Sequence, residues 1–174
     1  MNKIYKYFVE GECEEKIINA LKISPVNGIL PGKVEVFNVI NKKLTPARLA
    51  IIPPDAIIIL IYDTDVEKTD ILEQNILLLN QFGFKNIHHI HSIKNFEDEL
   101  VFSTELTNIH QMYNTNSEEE FKTKFMHQNN ILVKLRKHKF DSNKLWSRTI
   151  KRGGFKKYSN QESIELIKKN KYSK

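Results

Sequence analysis

Ala56-Ile57-Ile58-Ile59-Leu60-Ile61-Tyr62-Asp63-Thr64-Asp65 is the stretch on which the reading of this chain turns. An apolar run extends from Ala56 to Ile61 without polar alternation, introduced by Pro53-Pro54-Asp55. Such a run suits a central strand covered on both faces, because neither side of it meets water. It ends in Tyr62-Asp63-Thr64-Asp65, which puts two carboxylates at the strand's carboxyl end. Side chains at i and i+2 of an extended segment point the same way, so Asp63 and Asp65 are expected to face one site.

Toward the N-terminus, Ile4 to Val9 (IYKYFV) is rich in aromatic and β-branched residues and reads as a strand stopped by Glu10-Gly11. Glu12 to Leu21 places Ile17, Ile18 and Leu21 at helical spacing, with acids in the first turn where the helix dipole favours them. Ser24 to Gly32, with two prolines and two glycines, is a loop. Lys33 to Ile40 (KVEVFNVI) reads as a strand, and Thr45-Pro46 opens a helical turn through Leu49.

Toward the C-terminus, Asp70 to Phe82 is an amphipathic helix closed by Gly83, and Phe84 to Ile93 is a fourth strand. Phe96 to Met112, Ser117 to His127 and Gln161 to Lys169 then have helical periodicity, with a capping box at Ser117–Glu120. Strand and helix alternate through residue 93, which predicts an α/β fold. The expected architecture is a Rossmannoid, mainly parallel four-stranded sheet with flanking helices. Residues 1–100 form its expected core, and residues 101–174 a helical, basic extension packed on the same domain.

The length of 174 residues suits one domain, and 40% hydrophobic with 28% charged residues suits a packed chain rather than a disordered one. The lone Cys13 leaves no intramolecular disulfide and points to a reducing compartment. No apolar run approaches the roughly 20 residues of a membrane span, and Met1 to Phe8 lacks the shape of a signal peptide. The expected location is therefore cytoplasmic, with no membrane partner. Charge is uneven: residues 131–174 hold 14 basic and 3 acidic side chains, against 13 and 18 before them. That asymmetry points to a polyanionic partner or to a solvated basic tail.

In a parallel α/β sheet the reactive crevice lies beyond the carboxyl ends of the strands. Glu10 closes the first strand, Glu14 follows one helical turn later, and Asp63 and Asp65 close the most apolar one. Gly11 is expected to permit the tight turn between Glu10 and Glu14. Carboxylates gathered this way repel one another unless a cation intervenes. Hard oxygen ligands suit Mg²⁺ or Mn²⁺, and two such ions can activate water and stabilise the leaving oxygen of a phosphodiester.

These segments resemble a known family. Phe8-Val9-Glu10-Gly11-Glu12-Cys13-Glu14-Glu15-Lys16 is similar to the first TOPRIM motif, and Ile59-Leu60-Ile61-Tyr62-Asp63-Thr64-Asp65 to its second. The resemblance covers roughly residues 3–100 and is nearest to the small stand-alone and overcoming-lysogenization-defect-type nucleases of phage defence. It implies a metal-dependent nuclease acting on DNA or RNA phosphodiesters. Glu10 would be a metal ligand or general acid/base, and Asp63 and Asp65 would be catalytic metal ligands. Glu14 matches the extra acid of the nuclease branch. Glu97, in Asn95-Phe96-Glu97-Asp98-Glu99-Leu100, matches a further acid before a helix. The same branch uses a C-terminal lysine, for which Lys151 is the candidate. An anti-phage or abortive-infection role is implied with it.

The basic segment offers Arg136, Lys137, Arg148, Lys151, Arg152, Lys156 and Lys157 for nucleic-acid binding, interleaved with Phe140, Trp146, Phe155 and Tyr158. Cations neutralise phosphates and aromatics stack on unpaired bases, although these rings serve equally well as packing groups. His89 and His91 share a strand face but lack a third ligand at zinc spacing. Two rival functions stand beside the nuclease. One is a catalytically silent subunit that binds nucleic acid or docks a partner. The other is a phosphoryl-transfer enzyme on small molecules, though no Gly-x-x-x-x-Gly-Lys loop is present. A regulating protein partner and self-association are compatible with all three.

Overall fold

In the computed structural model, residues 3–25, 28–66, 68–150, 153–158 and 160–168 are described. Four strands form one parallel sheet in the order β2-β1-β3-β4. These are β1 (Tyr5–Val9), β2 (Lys33–Val36), β3 (Ile57–Asp63) and β4 (Ile87–Ser92). Helix α1 (Glu12–Ile23) crosses from β1 to β2, and α3 (Asp70–Gln81) from β3 to β4. Between β2 and β3 lies the short α2 (Pro46–Leu49), started by Thr45, whose side chain accepts from the Arg48 N–H.

The sheet is apolar on both faces. Tyr5, Tyr7 and Val9 of β1 and Ile57, Ile59 and Ile61 of β3 pack on one side against Ile17, Ile18 and Leu21 of α1. Phe8, Ile58, Leu60 and Tyr62 pack on the other against Leu72 and Leu79 of α3 and against Phe155. Each fully buried aliphatic side chain contributes about 1.5–3 kcal/mol, so β3, buried throughout its apolar length, anchors the sheet. Lys6 departs from the pattern. It is almost wholly buried on β1 and donates to Glu35 of β2, which also pairs with Arg48.

Beyond β4 come α4 (Phe96–Phe102), α5 (Glu118–His127), α6 (Ile131–Arg136) and α7 (Gln161–Ile167), with 3-10 turns at Ile109–Met112 and Gly154–Lys157. The single helix expected over Phe96–Met112 is broken after Phe102. The Ser103 hydroxyl donates to the Leu100 carbonyl and that of Thr104 to the Leu100 and Val101 carbonyls, while the Glu105 N–H turns away to the His138 carbonyl. β2 is likewise shorter than the expected Lys33–Ile40, because Asn38 starts a turn in which its Oδ1 accepts from Ile40 and Asn41 N–H. Helix α6 has no counterpart among the expected elements.

Residues after 100 contribute to the main core. Ile109, Met112, Phe121, Phe125, Leu135, Leu145, Trp146, Ile164 and Ile167 join the cluster over the first sheet face. Two polar ties fix this half to the sheet. Glu99, fully buried, accepts from Ile93 N–H (2.8 Å), Trp146 N–H (3.1 Å) and Arg148 Nη2 (2.7 Å). The Asn160 amide pairs with both backbone groups of His91 on edge strand β4, at 2.8 and 2.9 Å, and donates to the Trp146 carbonyl. Among the described residues, no helix is long and apolar enough to cross a membrane.

Candidate metal centre

Strand order sets the position of the site. β1 leads through α1 to β2 on one flank, and β3 lies on the other, so the chain diverges at the carboxyl ends of β1 and β3. That divergence is a topological switch point, where open α/β sheets leave a crevice. Glu10 follows β1 directly, and Asp63 is the last residue of β3.

Glu10 Oε2 accepts from the Asp63 N–H (2.9 Å) and Oε1 from Asn38 Nδ2 (2.7 Å). Because Asn38 Oδ1 is occupied by two backbone donors, its amino group faces Glu10. Asn38 was absent from the expected site, and its only sequence signal is its place at the carboxyl end of β2. Gly11 begins α1 with φ −140° and ψ 177°, an extended conformation open to any residue. Its contribution is room rather than a special turn, since a Cβ there would come within 3.1 Å of Glu14 Oε2.

The carboxylates behave as a group. Burial, then the charges of Glu14 and Glu10, push Asp63 up to about 8, with Ser92 offsetting a part and Glu97 adding to it. Burial, with the charges of Glu10 and Glu97, pushes Glu14 up to about 7; its own backbone N–H and Lys122 oppose this. Glu10 is also raised, first by burial and then by Asp65 and Glu97, against the bonds from Asp63 and Asn38. Asp63 Oδ1 is buried with no hydrogen-bond partner. Glu97, nearly buried on α4, lies 3.6 Å from the Lys122 ammonium of α5.

Asp65 differs from Asp63: it is exposed and lines a neighbouring cleft. Among the described residues, no three His, Cys, Asp or Glu side chains stand around one point in a way that could hold an ion. The donor set is nonetheless one of hard oxygens, and a partnerless buried carboxylate oxygen is the kind of group a cation satisfies. Glu10, Glu14 and Asp63 are thus brought together, Glu97 flanks them, and an ion there requires side-chain movement from this arrangement.

Among the described residues, the expected nucleic-acid contacts are dispersed. Arg136 lies beside Leu21 and Ser24, at the far end of α1 from Glu10, and Lys137 follows it. Twelve helical residues span about 18 Å, so this pair is remote from the carboxylates. The Arg148 guanidinium bonds to Glu99 and the Ile93 carbonyl and lies over the Phe102 ring. Lys156 and Lys157 sit on the opposite sheet face, Lys157 being tied to Glu73 at 2.6 Å. Lys151 and Arg152 lie outside the described residues. Trp146 and Phe155 are buried packing groups.

His89 and His91 do share a face, but it is that of Tyr62, Phe155 and Tyr158, where burial pulls both rings down to about 4. Cys13, buried beside Glu14, has its thiol pushed up to about 12, first by burial and then by the acidic charges around it.

Fold and site together define a parallel α/β domain with a carboxylate cluster at its switch point. Comparison of the chain with protein-family models, curated proteins and solved structures finds no match.

Proposed function

We propose that this protein is a TOPRIM-like, divalent-metal-dependent nuclease that hydrolyses nucleic-acid phosphodiester bonds. The observation that carries this reading is the convergence of Glu10, Glu14 and Asp63 at the switch point, with all three proton affinities raised and Asp63 Oδ1 left partnerless. Glu10, Glu14 and Asp63 would hold Mg²⁺ or Mn²⁺, with Asp65 and Glu97 at its margin. Bound there, the ion supplies an activated water and charge neutralisation at the scissile phosphate. Asn38 and the Asp63 N–H fix the Glu10 carboxylate, so it needs little reordering to act as a ligand. Glu14 and Asp63 keep protons near neutrality in the ion-free state and release them when the ion enters. An anti-phage role is supported only by the resemblance of the two motifs.

The test is cleavage of tRNA, single-stranded DNA and duplex DNA by purified protein with Mn²⁺ and with chelator, alongside calorimetric Mn²⁺ titration. Manganese-dependent cleavage by wild type, lost in Asp63→Asn, supports the assignment; cleavage unaltered in that variant overturns it. One observation favours a second reading, a catalytically silent nucleic-acid-binding subunit: no three ligands surround a common point among the described residues. Under that reading Mn²⁺ titration of the wild type shows no heat while oligonucleotide affinity persists.

A further inference from the structure

A cleft of about 830 Å³ opens beside the carboxylate cluster, at the carboxyl ends of β3 and β4. Its walls include Val66, Ile93 and Ile150, and its polar groups include Asp65 and Lys94. Asp65 belongs to both places, since its charge acts on Glu10 while its side chain borders the cleft. The volume is within the roughly 300–1,000 Å³ of pockets that enclose small organic ligands.

Lys94 holds an unusual backbone. Its φ is +70°, a left-handed conformation that favours glycine, and two bonds to Thr64 keep it there. The Thr64 N–H donates to the Lys94 carbonyl (3.0 Å), and the Lys94 N–H donates to Thr64 Oγ1 (3.2 Å). The ammonium is largely exposed and, among the described residues, pairs with Asp98 in the first turn of α4 at 3.1 Å. A surface pair of that kind is weak and readily exchanged for a phosphate.

Resting on the nuclease reading, we propose that this cleft seats one unpaired nucleotide next to the scissile phosphate, so that the substrate is single-stranded nucleic acid. Apolar walls with a cation at the rim match the two halves of a nucleotide, a flat base and an anionic phosphate. A paired base keeps its faces inside the duplex stack and cannot enter such a recess without being extruded, which costs a few kcal/mol.

The experiment is fluorescence anisotropy of the full chain with labelled oligo(U) and oligo(dT) of roughly 12 nucleotides, and a duplex of equal length, in chelator. The single strands should bind at least about tenfold more tightly than the duplex, and Ile150→Glu should remove about tenfold of that affinity while leaving duplex binding unchanged. Lys94→Gly should weaken single-strand binding several-fold without lowering the melting temperature, because glycine suits that φ; this variant decides the matter if Ile150→Glu fails to fold. Equal affinity for duplex, or folded variants that bind like wild type, overturns the proposal. Manganese-dependent cleavage of duplex and single strand alike would keep the nuclease and remove the cleft's role. Single-strand preference without any cleavage would keep the cleft and remove the nuclease.

Discussion

Asp63 carries opposing demands: the fold half-buries it at the end of the most apolar strand, while neighbouring carboxylates resist its ionisation. Its ordinary value of 3.8 is pushed up to about 8 in the folded chain. Between those limits the folded state binds more protons than the unfolded one, so stability falls as pH rises from about 4 to about 8. Asp63→Asn should flatten that decline and raise the melting temperature of the ion-free protein at pH 8, read by thermal scans across pH in chelator. The same change abolishes metal-dependent cleavage under the proposed function. Mn²⁺ should abolish the decline in wild type only, by binding the ionised form. Gly11→Ala belongs at this scale too. Its backbone accepts alanine, so the melting temperature should shift by no more than about 2 °C, but the new methyl crowds Glu14 and should weaken Mn²⁺ affinity in calorimetry. Glu10 and Asp63 were legible in the sequence because each ends an apolar run. Asn38 was not, since a turn asparagine carries no mark of the carboxylate it will meet.

The strands and the helices over α1, α3, α5 and α7 kept their type, while the helix expected over Phe96–Met112 divides into α4 and a 3-10 turn. Gly83 closes α3 with φ +88° and the Phe84 N–H reaching back to the Leu79 carbonyl, and Ser117 caps α5 while Glu120 accepts from Asn116 N–H. Helix α4 stops early because hydroxyls at Ser103 and Thr104 compete for carbonyls, a local event that apolar spacing does not register. The ties between elements were the least visible. Glu99 stands two residues from the candidate Glu97, yet its carboxylate is spent on Arg148 and two backbone amides. Glu99→Ala should cost about 3–5 kcal/mol by leaving those amides unpaired and the Arg148 guanidinium without its carboxylate. The Glu99→Met/Arg148→Met pair should cost less than the sum of its singles, as measured by denaturant titration of the four-member cycle. Asn160→Ala strips the β4 edge of both its bonds at His91 and should cost about 1–3 kcal/mol. Amide exchange should show the His91 N–H losing protection before its neighbours in β3.

For the molecule as a whole, the net charge of +6 is concentrated in residues 131–174, and the fold sets where those cations stand. Among the described residues, the cations of α6 and of the Gly154–Lys157 turn stand on different sides of the sheet. Salt titration of oligonucleotide binding should therefore give a shallow slope, and Arg136→Ala/Lys137→Ala should leave it unchanged, whereas Lys94→Gly lowers it by about one unit. The sheet ends near residue 100, and its first face is covered jointly by α1 and by later residues packed on the same domain. That dependence has a temporal side. During synthesis Glu10 and Asp63 leave the ribosome long before Phe121, Leu135, Trp146 and Ile167, the residues that shelter this face of the sheet. A nascent chain that has not yet reached those residues would hold both acids in more open water, nearer ordinary acidity, and their altered proton hold would arise as that cover folds into place.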